Sequence, residues 1–186
     1  MANSLNRQRL LYAVLIAGLT SVIISSIYFL LGGFAEIAVF QLKAEKKNII
    51  GKSFTGKYND PDLEFLWTES RALLQDSALV GNLTVVNYLD PDLNVDEVHQ
   101  FIGISLTEGM AEIPSGFKVQ PVNMNEKLIV FLSMHPWVRP RPRKINEMFE
   151  TFATEQGLVL ADYSIETHFK DNSLTIEMPI IGNLSD

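Results

Sequence analysis

The chain has 186 residues, of which 47% are hydrophobic, contains no cysteine, and carries a formal net charge of −7. All 22 acidic residues and 13 of the 15 basic residues lie beyond residue 33, so that part of the chain is nine charges negative. We expect no nucleic-acid partner, because phosphate contact requires a basic face. The lack of cysteine excludes disulfides, thiol nucleophiles and thiolate metal sites.

The first element in chain order is a stretch without charged side chains over residues 10–35, preceded by Arg7 and Arg9. A helix of about 20 apolar residues crosses the hydrocarbon core of a bilayer. The stretch is longer than the apolar region of a cleavable signal and lacks a convincing cleavage site, which favours a retained anchor. We therefore predict a short flank over residues 1–9 and a single transmembrane helix over residues 10–35.

Small residues recur at every fourth position inside this stretch: Ala13, Ala17, Ser21 and Ser25. Such a stripe lets a second helix approach closely, so one hypothesis is a homodimer formed through it. The alternative is that small residues are simply common in membrane helices. Lysine and arginine residues near the two ends of the stretch nearly balance, which leaves the orientation in the membrane open.

The next part of the chain reads strand, helix, strand, strand. Residues 36–54 are predicted to be extended. Asp60 and Pro61 suit the N-cap and the first position of a helix that ends near Ala78. Apolar residues recur on one face of this helix, namely Leu63, Leu66, Trp67 and Leu74. Two strands are predicted to follow, over residues 84–89 and 100–106.

The same order then recurs. Strands are predicted over residues 117–122 and 127–132, and a helix ends at Gly157. The apolar face of that helix carries Ile145, Met148, Phe149, Phe152 and Ala153. Residues 158–169 are mostly extended, and residues 174–180 alternate as a half-buried strand with Thr175, Glu177 and Pro179 on its polar side. The recurrence predicts an α+β domain over residues 36–182, built from duplicated β-α-β-β halves with a cleft between them.

Five segments of this domain follow one another in a recognisable order: Phe54-Thr-Gly-Lys-Tyr58, Val86-Asn-Tyr-Leu-Asp-Pro91, Phe101-Ile-Gly-Ile104, Ile165-Glu-Thr-His-Phe169 and Leu174-Thr-Ile-Glu-Met-Pro-Ile180. In order and spacing they resemble the GyrI-like small-molecule-binding domains, whose fold is shared by SOUL haem-binding proteins and bacterial effector-binding domains. The resemblance covers residues 36–181. It implies a non-catalytic sensor or scaffold that binds a small amphipathic or hydrophobic ligand or a partner segment.

An anchor directly before such a domain is similar to the testis-expressed ER-phagy receptor family, and Leu66-Trp-Thr-Glu-Ser70 and Tyr88-Leu-Asp-Pro91 look similar to its segments. In that family the domain lies in the cytosol, so the resemblance implies a cytoplasmic face for the domain. Because the chain ends at Asp186, just after the last predicted strand, we expect no long tail that recruits autophagy machinery.

Glu166 stands at the position where the GyrI-like family has an acidic residue facing the cleft. The resemblance implies that its carboxylate pairs with a cationic ligand; the alternative is a solvated glutamate on a strand. Some GyrI-like proteins resemble hydrolases that use this carboxylate as an acid or base, which makes hydrolysis of lipophilic substrates the alternative function. His168 occupies the place of a family tyrosine, and this departure weakens the transfer of the hydrolase role.

Aromatic residues that would line the cleft beside Glu166, where flat rings attract an apolar cation, are Tyr58, Tyr88, Phe101, Phe131, Trp137 and Tyr163. The alternative is that they belong to the core. A basic cluster precedes the second helix of the domain and consists of Arg139, Arg141, Arg143 and Lys144. This cluster either contacts anionic lipid headgroups or is an exposed loop that balances an acidic domain. We expect no cofactor and no metal, because the histidines lack metal-ligand spacing.

Overall fold

The structure is a computed structural model that describes residues 2–76, 79–107 and 112–183. Within these ranges the chain forms three α-helices, nine β-strands and a short 3₁₀ helix, so the predicted α+β class is confirmed. The chain divides into two compact units. The first contains residues 1–36 and 133–139, and the second contains residues 37–132 and 140–186.

The first unit is built on helix α1 (Ala2–Leu30). Its segment Leu10–Leu30 is long and apolar enough to cross a membrane, and none of it is buried inside the protein. The helix ends at Leu30 rather than at the predicted residue 35, because residues 31–34 form turns. Gly32 has a φ of 81°, a left-handed conformation that commonly ends a helix and that glycine adopts without steric cost.

The second unit consists of an antiparallel nine-stranded sheet and two helices. Its helices are α2 (Pro61–Gln75) and α3 (Pro142–Gln156). Its strands are β1 (Val39–Lys43), β2 (Lys47–Lys57), β3 (Gly81–Tyr88), β4 (Glu97–Leu106), β5 (Lys118–Val122), β6 (Glu126–Leu132), β7 (Leu158–Leu160), β8 (Tyr163–His168) and β9 (Leu174–Asn183). The strand order is β1-β6-β9-β8-β3-β4-β2-β5, and β7 pairs with β9.

Two groups of strands meet in the middle of this sheet. On one side β4 lies between β2 and β3, and on the other side β9 lies between β6 and β8. The two groups join where β3 pairs with β8. Each group carries a helix in the same place in the chain order, as the sequence predicts. That the halves arose by duplication stays a prediction.

Helix α2 begins where the sequence predicts. The side chain of Asp60 accepts a hydrogen bond from the backbone N–H of Asp62 at 2.9 Å, and Pro61 occupies the first turn. The buried side of the helix packs on β3 and β4 through Leu63, Leu66, Val85 and Ile102. The helix ends at Gln75. Its predicted end at Ala78 lies outside the described residues.

Helix α3 follows the same logic. Pro142 occupies its first turn, and Ile145, Phe149 and Ala153 are buried at helical spacing. Gly157 ends the helix with a φ of 66°, as the sequence predicts. Helix α2 packs on the side of the sheet to which Val85 and Ile102 point, and the first turns of α3 border the same side; we call this side the helix face. Because strand side chains alternate, residues in phase with Val85 point to this face.

Strand β9 differs from the predicted half-exposed strand. Residues 174–179 are all buried, and Glu177 is only 3% exposed. The prediction that Thr175, Glu177 and Pro179 line an exposed side is therefore wrong. The physical reason is that β9 is an interior strand and that Nζ of Lys47 and of Lys127 lie 2.7 Å and 2.9 Å from Oε1 of Glu177. We call the sheet surface that carries these three charged side chains the lysine face.

Candidate functional site

A cleft of about 940 Å³ opens on the helix face. Its walls come from α2, the first turns of α3 and the loop after β3, and its floor comes from β3, β4 and β8. We call it the central cleft. It lies entirely within the second unit, over the place where β3 pairs with β8 and the two groups of strands join.

Glu166 projects from β8 into the central cleft. Its side chain is 23% exposed, so the carboxylate is half-buried rather than fully solvated. Asn87 Nδ2 donates to Glu166 Oε1 at 3.0 Å, and Gln100 Nε2 donates to Asn87 Oδ1 at 2.6 Å. His168 Nε2 lies 3.7 Å from Glu166 Oε2. The four side chains form a continuous polar row along the floor of the cleft.

The strand registers explain why these side chains meet. Across the β3–β4 and β3–β8 pairs, Asn87 is opposite Gln100 and Val85 is opposite Glu166. Val85 is 1% exposed and packs beneath α2. Since side chains two residues apart in a strand share a face, the burial of Val85 brings Asn87 and Glu166 to the helix face.

Both ends of the polar row carry unsatisfied atoms. Gln100 Oε1 and His168 Nε2 are buried and have no hydrogen-bond partner among the residues that the structure describes. A buried polar atom without a partner costs about 1–3 kcal/mol of desolvation. A bound molecule that donates a hydrogen bond to Gln100 Oε1 would remove part of this cost.

Trp67 of α2 forms the aromatic wall of the central cleft. Its ring stands edge-on to the His168 ring with centroids 5.4 Å apart. The guanidinium carbon of Arg71 lies 5.5 Å from the Trp67 ring centroid. An indole face and a carboxylate in one cleft are the two groups that bind an apolar cation best.

The charge of the lining is strongly negative. It contains one arginine, Arg71, and five carboxylates: Asp60, Glu64, Asp90, Glu97 and Glu166. A cleft lined by charges of one sign focuses the field and concentrates ligands of the opposite sign. The lining therefore favours a positively charged ligand over an anion.

Sequence patterns did not identify three residues of the central cleft as site residues: Trp67, Asn87 and Gln100. Trp67 sits at helical spacing with core leucines, so spacing alone assigns it to the core. Asn87 and Gln100 offered a signal, because each is an amide in phase with a buried apolar residue of its strand. Polar groups at such positions are buried at a cost unless they serve a network or a ligand.

The predicted cleft aromatics divide into two groups. Tyr58 and Tyr88 are among the residues that line the central cleft, although the Tyr88 ring, like that of Tyr163, also packs against the core of the lysine face. The Tyr88 ring lies 4.4 Å from the His99 ring, and its hydroxyl oxygen accepts a hydrogen bond from the Gln120 side chain. Whether the two tyrosines and Glu166 bind a ligand stays a prediction.

The other four aromatics do not line the cleft, so their predicted placement is wrong. Phe101 is 3% exposed in the core of the lysine face, and Tyr163 packs against the same core, because both are out of phase with Val85. Phe131 lies on β6 with its ring centroid 6.2 Å from that of Phe40. Trp137 lies in the 3₁₀ helix Pro136–Val138 and is 87% exposed.

Tyr163 has an electrostatic environment of its own. Burial of the phenol raises the pKa of Tyr163 above its ordinary value of 10.0, and the neighbouring Tyr88 and Asp162 raise it further. Its ring centroid lies 6.2 Å from that of Tyr88. Tyr163 therefore packs against the core of the lysine face and is not part of the cleft lining.

The predicted basic cluster is mostly exposed. Arg141, Arg143 and Lys144 are exposed, and Arg143 Nε lies 3.4 Å from Glu147 Oε1. Arg139 Nε donates to the backbone oxygen of Met134 at 3.2 Å. Contact of the cluster with lipid stays a prediction. Within residues 2–76, 79–107 and 112–183, no three histidine, aspartate or glutamate side chains are grouped as a metal site requires.

The small-residue stripe lies on an unburied part of α1. Ala13, Ala17, Ser21 and Ser25 are all exposed within the first unit. The homodimer through this stripe stays a prediction.

Comparison with known proteins addresses the fold. No family model and no curated protein matches the sequence. Solved structures do match: EcmrR in an EcmrR–DNA complex has a TM-score of 0.56 and 12% identity, covering 96% of this chain and 71% of that chain. The EcmrR C-terminal domain has a TM-score of 0.51 and 13% identity, covering 79% and 98%. A hydrolase from Listeria innocua has a TM-score of 0.53 and 10% identity, covering 77% and 92%.

At these identities the likeness concerns the fold alone. It supports the GyrI-like fold that the sequence predicts. The predicted resemblance to the ER-phagy receptor family and the predicted exclusion of nucleic acid are not supported by these matches and stay predictions.

Proposed function

We propose that the protein is a membrane-anchored small-molecule-binding protein whose central cleft takes an amphipathic or hydrophobic cation. It acts without catalysis, as a sensor or scaffold at the membrane surface. The GyrI-like fold of the second unit supports the binding role, since effector-binding domains share this fold. The apolar segment Leu10–Leu30 supports the anchor.

The single observation that carries the proposal is the position of Glu166. The carboxylate is half-buried on the floor of the cleft, and among the described residues it contacts the Asn87 amide and the His168 ring. No lysine or arginine ion pair is recorded for it among those residues. A partly desolvated carboxylate in the same cleft as an indole gains strongly from a cationic partner.

A pair of isosteric ions tests this role. Tetraphenylphosphonium and tetraphenylborate have the same shape and opposite charge, so they separate charge recognition from hydrophobic partition. We expect the full chain in detergent micelles to be stabilised against heat by the cation and not by the anion. Glu166→Gln should weaken cation binding about tenfold, or about 1.4 kcal/mol.

Glu155→Gln is the matched control, because Glu155 is exposed on α3 and does not line the cleft. It should leave the affinity for the cation unchanged. Equal stabilisation by both ions, or equal affinity in wild type and Glu166→Gln, would refute the proposed cation site.

Hydrolysis of lipophilic substrates is the second candidate function. The observation that favours it is the approach of His168 Nε2 to within 3.7 Å of Glu166 Oε2, since such a pair can exchange a proton with water and a leaving alcohol. Ser164 shares this face of β8, but residues four apart in a strand are about 13 Å apart. A direct Ser164–His168 relay is therefore excluded, and a water molecule would have to be the nucleophile.

A screen of lipophilic esters distinguishes the two functions. Turnover that disappears in Glu166→Gln favours the hydrolase. Cation binding that weakens in the same variant without any turnover favours the binding protein.

Membrane anchoring has its own consequences. We infer that α1 holds the protein in the membrane fraction during extraction with alkaline carbonate. The resemblance to the ER-phagy receptor family further suggests the proposal that the second unit faces the cytoplasm. Labelling of a cysteine introduced at exposed Glu155 on intact vesicles tests the orientation, because the chain has no cysteine of its own.

Self-association through the small-residue stripe predicts that Ala17→Leu with Ser21→Leu abolishes any dimer in detergent. A dimer that persists in this variant would refute the stripe as its interface.

A further inference from the structure

The segment that follows β6 belongs to the first unit together with α1. The backbone N–H of His135 donates to the backbone oxygen of Leu31 at 3.0 Å. A Cβ added to Gly32 would lie 3.1 Å from Cβ of Met134, so the two backbones are in close contact. Residues 133–139 therefore contact the first turn after α1 through this hydrogen bond and this close packing.

This attachment lies at the end of the apolar segment. Leu10–Leu30 has 21 residues, which rise about 31 Å at 1.5 Å per residue and match a hydrocarbon core of about 30 Å. Leu31, which accepts the hydrogen bond from His135, is the next residue. When the segment spans a bilayer, His135 is thus held where hydrocarbon gives way to headgroups.

Trp137 lies two residues beyond His135, whose N–H donates to Leu31. Its side chain is 87% exposed, although it is one of only two tryptophans in the chain. The turn that carries it is well defined: Pro136 begins a 3₁₀ helix, and His135 Nδ1 accepts from the Trp137 N–H at 3.3 Å. The Trp137 ring stands edge-on to the His135 ring, with centroids 5.4 Å apart.

Aromatic rings also surround the end of α1. Tyr28 and Phe34 are in edge contact with centroids 5.0 Å apart, and Phe34 is 69% exposed. Tryptophan and tyrosine are enriched at membrane interfaces, where an apolar ring meets lipid while its polar atom meets water. Without a membrane, the exposed surface of the Trp137 ring would contact only water.

We propose that residues 133–139 form a second membrane contact, in which Trp137 lies in the headgroup region of the bilayer that α1 crosses. The inference rests on the proposed anchoring by α1. Its occupant is the phospholipid interface, because the segment is hydrogen-bonded to Leu31, the residue that directly follows the apolar helix. Arg139 in the segment suits an interface containing anionic lipid.

Fluorescence of a single tryptophan tests this contact. In the full chain, Trp67→Phe leaves Trp137 as the only tryptophan. After reconstitution into phosphatidylcholine and phosphatidylserine vesicles, Trp137 emission should shift to shorter wavelength than in water. Lipids brominated close to the headgroup should quench it about twofold, and lipids brominated near the chain end should quench it less, as expected for an interfacial indole.

Trp137→Phe is the matched variant, since it retains only Trp67 in the central cleft. Its emission should be insensitive to both brominated lipids. The difference in quenching between wild type and Trp137→Phe measures Trp137 without any change in the cleft, so the test holds even if Trp67→Phe does not fold.

The outcomes separate this inference from the anchoring on which it rests. Resistance to alkaline carbonate together with unquenched Trp137 overturns the second contact and leaves the anchor intact. Short-wavelength emission without lipid quenching overturns it too, because Trp137 then lies against protein. Extraction by alkaline carbonate overturns the anchor and the second contact together. Quenching by the shallow bromines in retained protein supports both.

Discussion

Glu166 and Glu177 lie one ladder step apart on neighbouring strands and face opposite sides of the sheet. Glu166 pairs with Ile176, and Glu177 pairs with Ile165. On the lysine face, the Glu177 side chain is 4% exposed and lies within 2.9 Å of two lysine ammonium groups. On the helix face, Glu166 is 23% exposed and is held by one amide, with an imidazole 3.7 Å away.

The difference shows how one fold gives two carboxylates two environments. Two lysines compensate the desolvated charge of Glu177, so this residue is part of the structure. Glu166 has no such compensation among the described residues, and its charge is available to a molecule in the central cleft. Burial of a charge is tolerated where partners surround it, and a carboxylate with incomplete partners is a candidate for a functional site.

The largest effect should come from breaking the lysine face. Glu177→Gln leaves Lys47 and Lys127, whose side chains are 21% and 11% exposed, without their carboxylate partner. We expect it to lower the free energy of unfolding by about 3–5 kcal/mol, measured by denaturant titration of the full chain in micelles. Glu166→Gln is the matched variant and should cost less than about 0.5 kcal/mol, because the Asn87 hydrogen bond can remain. Equal losses in the two variants would contradict the proposed division of roles.

A smaller effect should follow from changing the wall of the central cleft. Trp67→Ala removes the indole face and should weaken tetraphenylphosphonium binding about tenfold, or about 1.4 kcal/mol. Trp67→Phe keeps an aromatic ring and should retain most of the affinity, while Trp137→Ala, outside the cleft, should retain all of it. Isothermal titration of the three variants measures the difference. An unchanged affinity in Trp67→Ala would remove this wall from the site.

Two buried threonines, Thr167 and Thr84, test whether side chains on the lysine face contribute to the stability of the fold. Thr167 Oγ1 is buried without a hydrogen-bond partner among the described residues, whereas Thr84 Oγ1 donates to the Asn82 oxygen at 3.1 Å. Thr167→Val should stabilise the protein by up to about 1 kcal/mol, since it removes an unsatisfied hydroxyl. Thr84→Val should destabilise it by about 1 kcal/mol. Thermal unfolding measures both, and a destabilised Thr167→Val would show that this hydroxyl does have a partner.

The smallest effect concerns Tyr163. The folded protein holds the Tyr163 proton more tightly than the unfolded chain, because burial raises the pKa of Tyr163 above 10.0. Its contribution to stability is therefore complete below pH 10 and is lost as the pH rises through the folded-state pKa. Tyr163→Phe should make the decline of the free energy of unfolding above pH 10 shallower and leave its slope at pH 7–9 unchanged. An identical decline in both proteins would exclude Tyr163 as a cause.

Local patterns in the sequence predicted most of the secondary structure. Asp60 and Pro61 mark the start of α2, and Gly157 marks the end of α3, because capping and left-handed glycine depend on a few adjacent residues. The apolar segment that ends at Leu30 is equally local. Its last residues were misjudged because Gly32 turns the chain although its neighbours remain apolar.

The central cleft was only partly predictable. Glu166 was carried over from a family resemblance and Tyr58 and Tyr88 were chosen as aromatic rings that suit a cation, and all three are among the lining residues. Trp67 could not be separated from the core by spacing, and Trp137 could not be recognised as exposed. Phe101 was misplaced because its face depends on the phase of β4 relative to α2, which no single strand reveals.

By itself, the sequence determined the apolar N-terminal helix, the α+β class and the places of α2 and α3 in the chain order, since hydrophobic periodicity and capping act over a few neighbouring residues. Only the tertiary structure decided which carboxylate is neutralised and which lies open in a cleft. The reason is that Lys47 and Glu177 are 130 positions apart in the chain, and Asn87 and Glu166 are 79 positions apart. Pairing of strands brings such residues together, and the same pairing assigns each side chain to one face of the sheet.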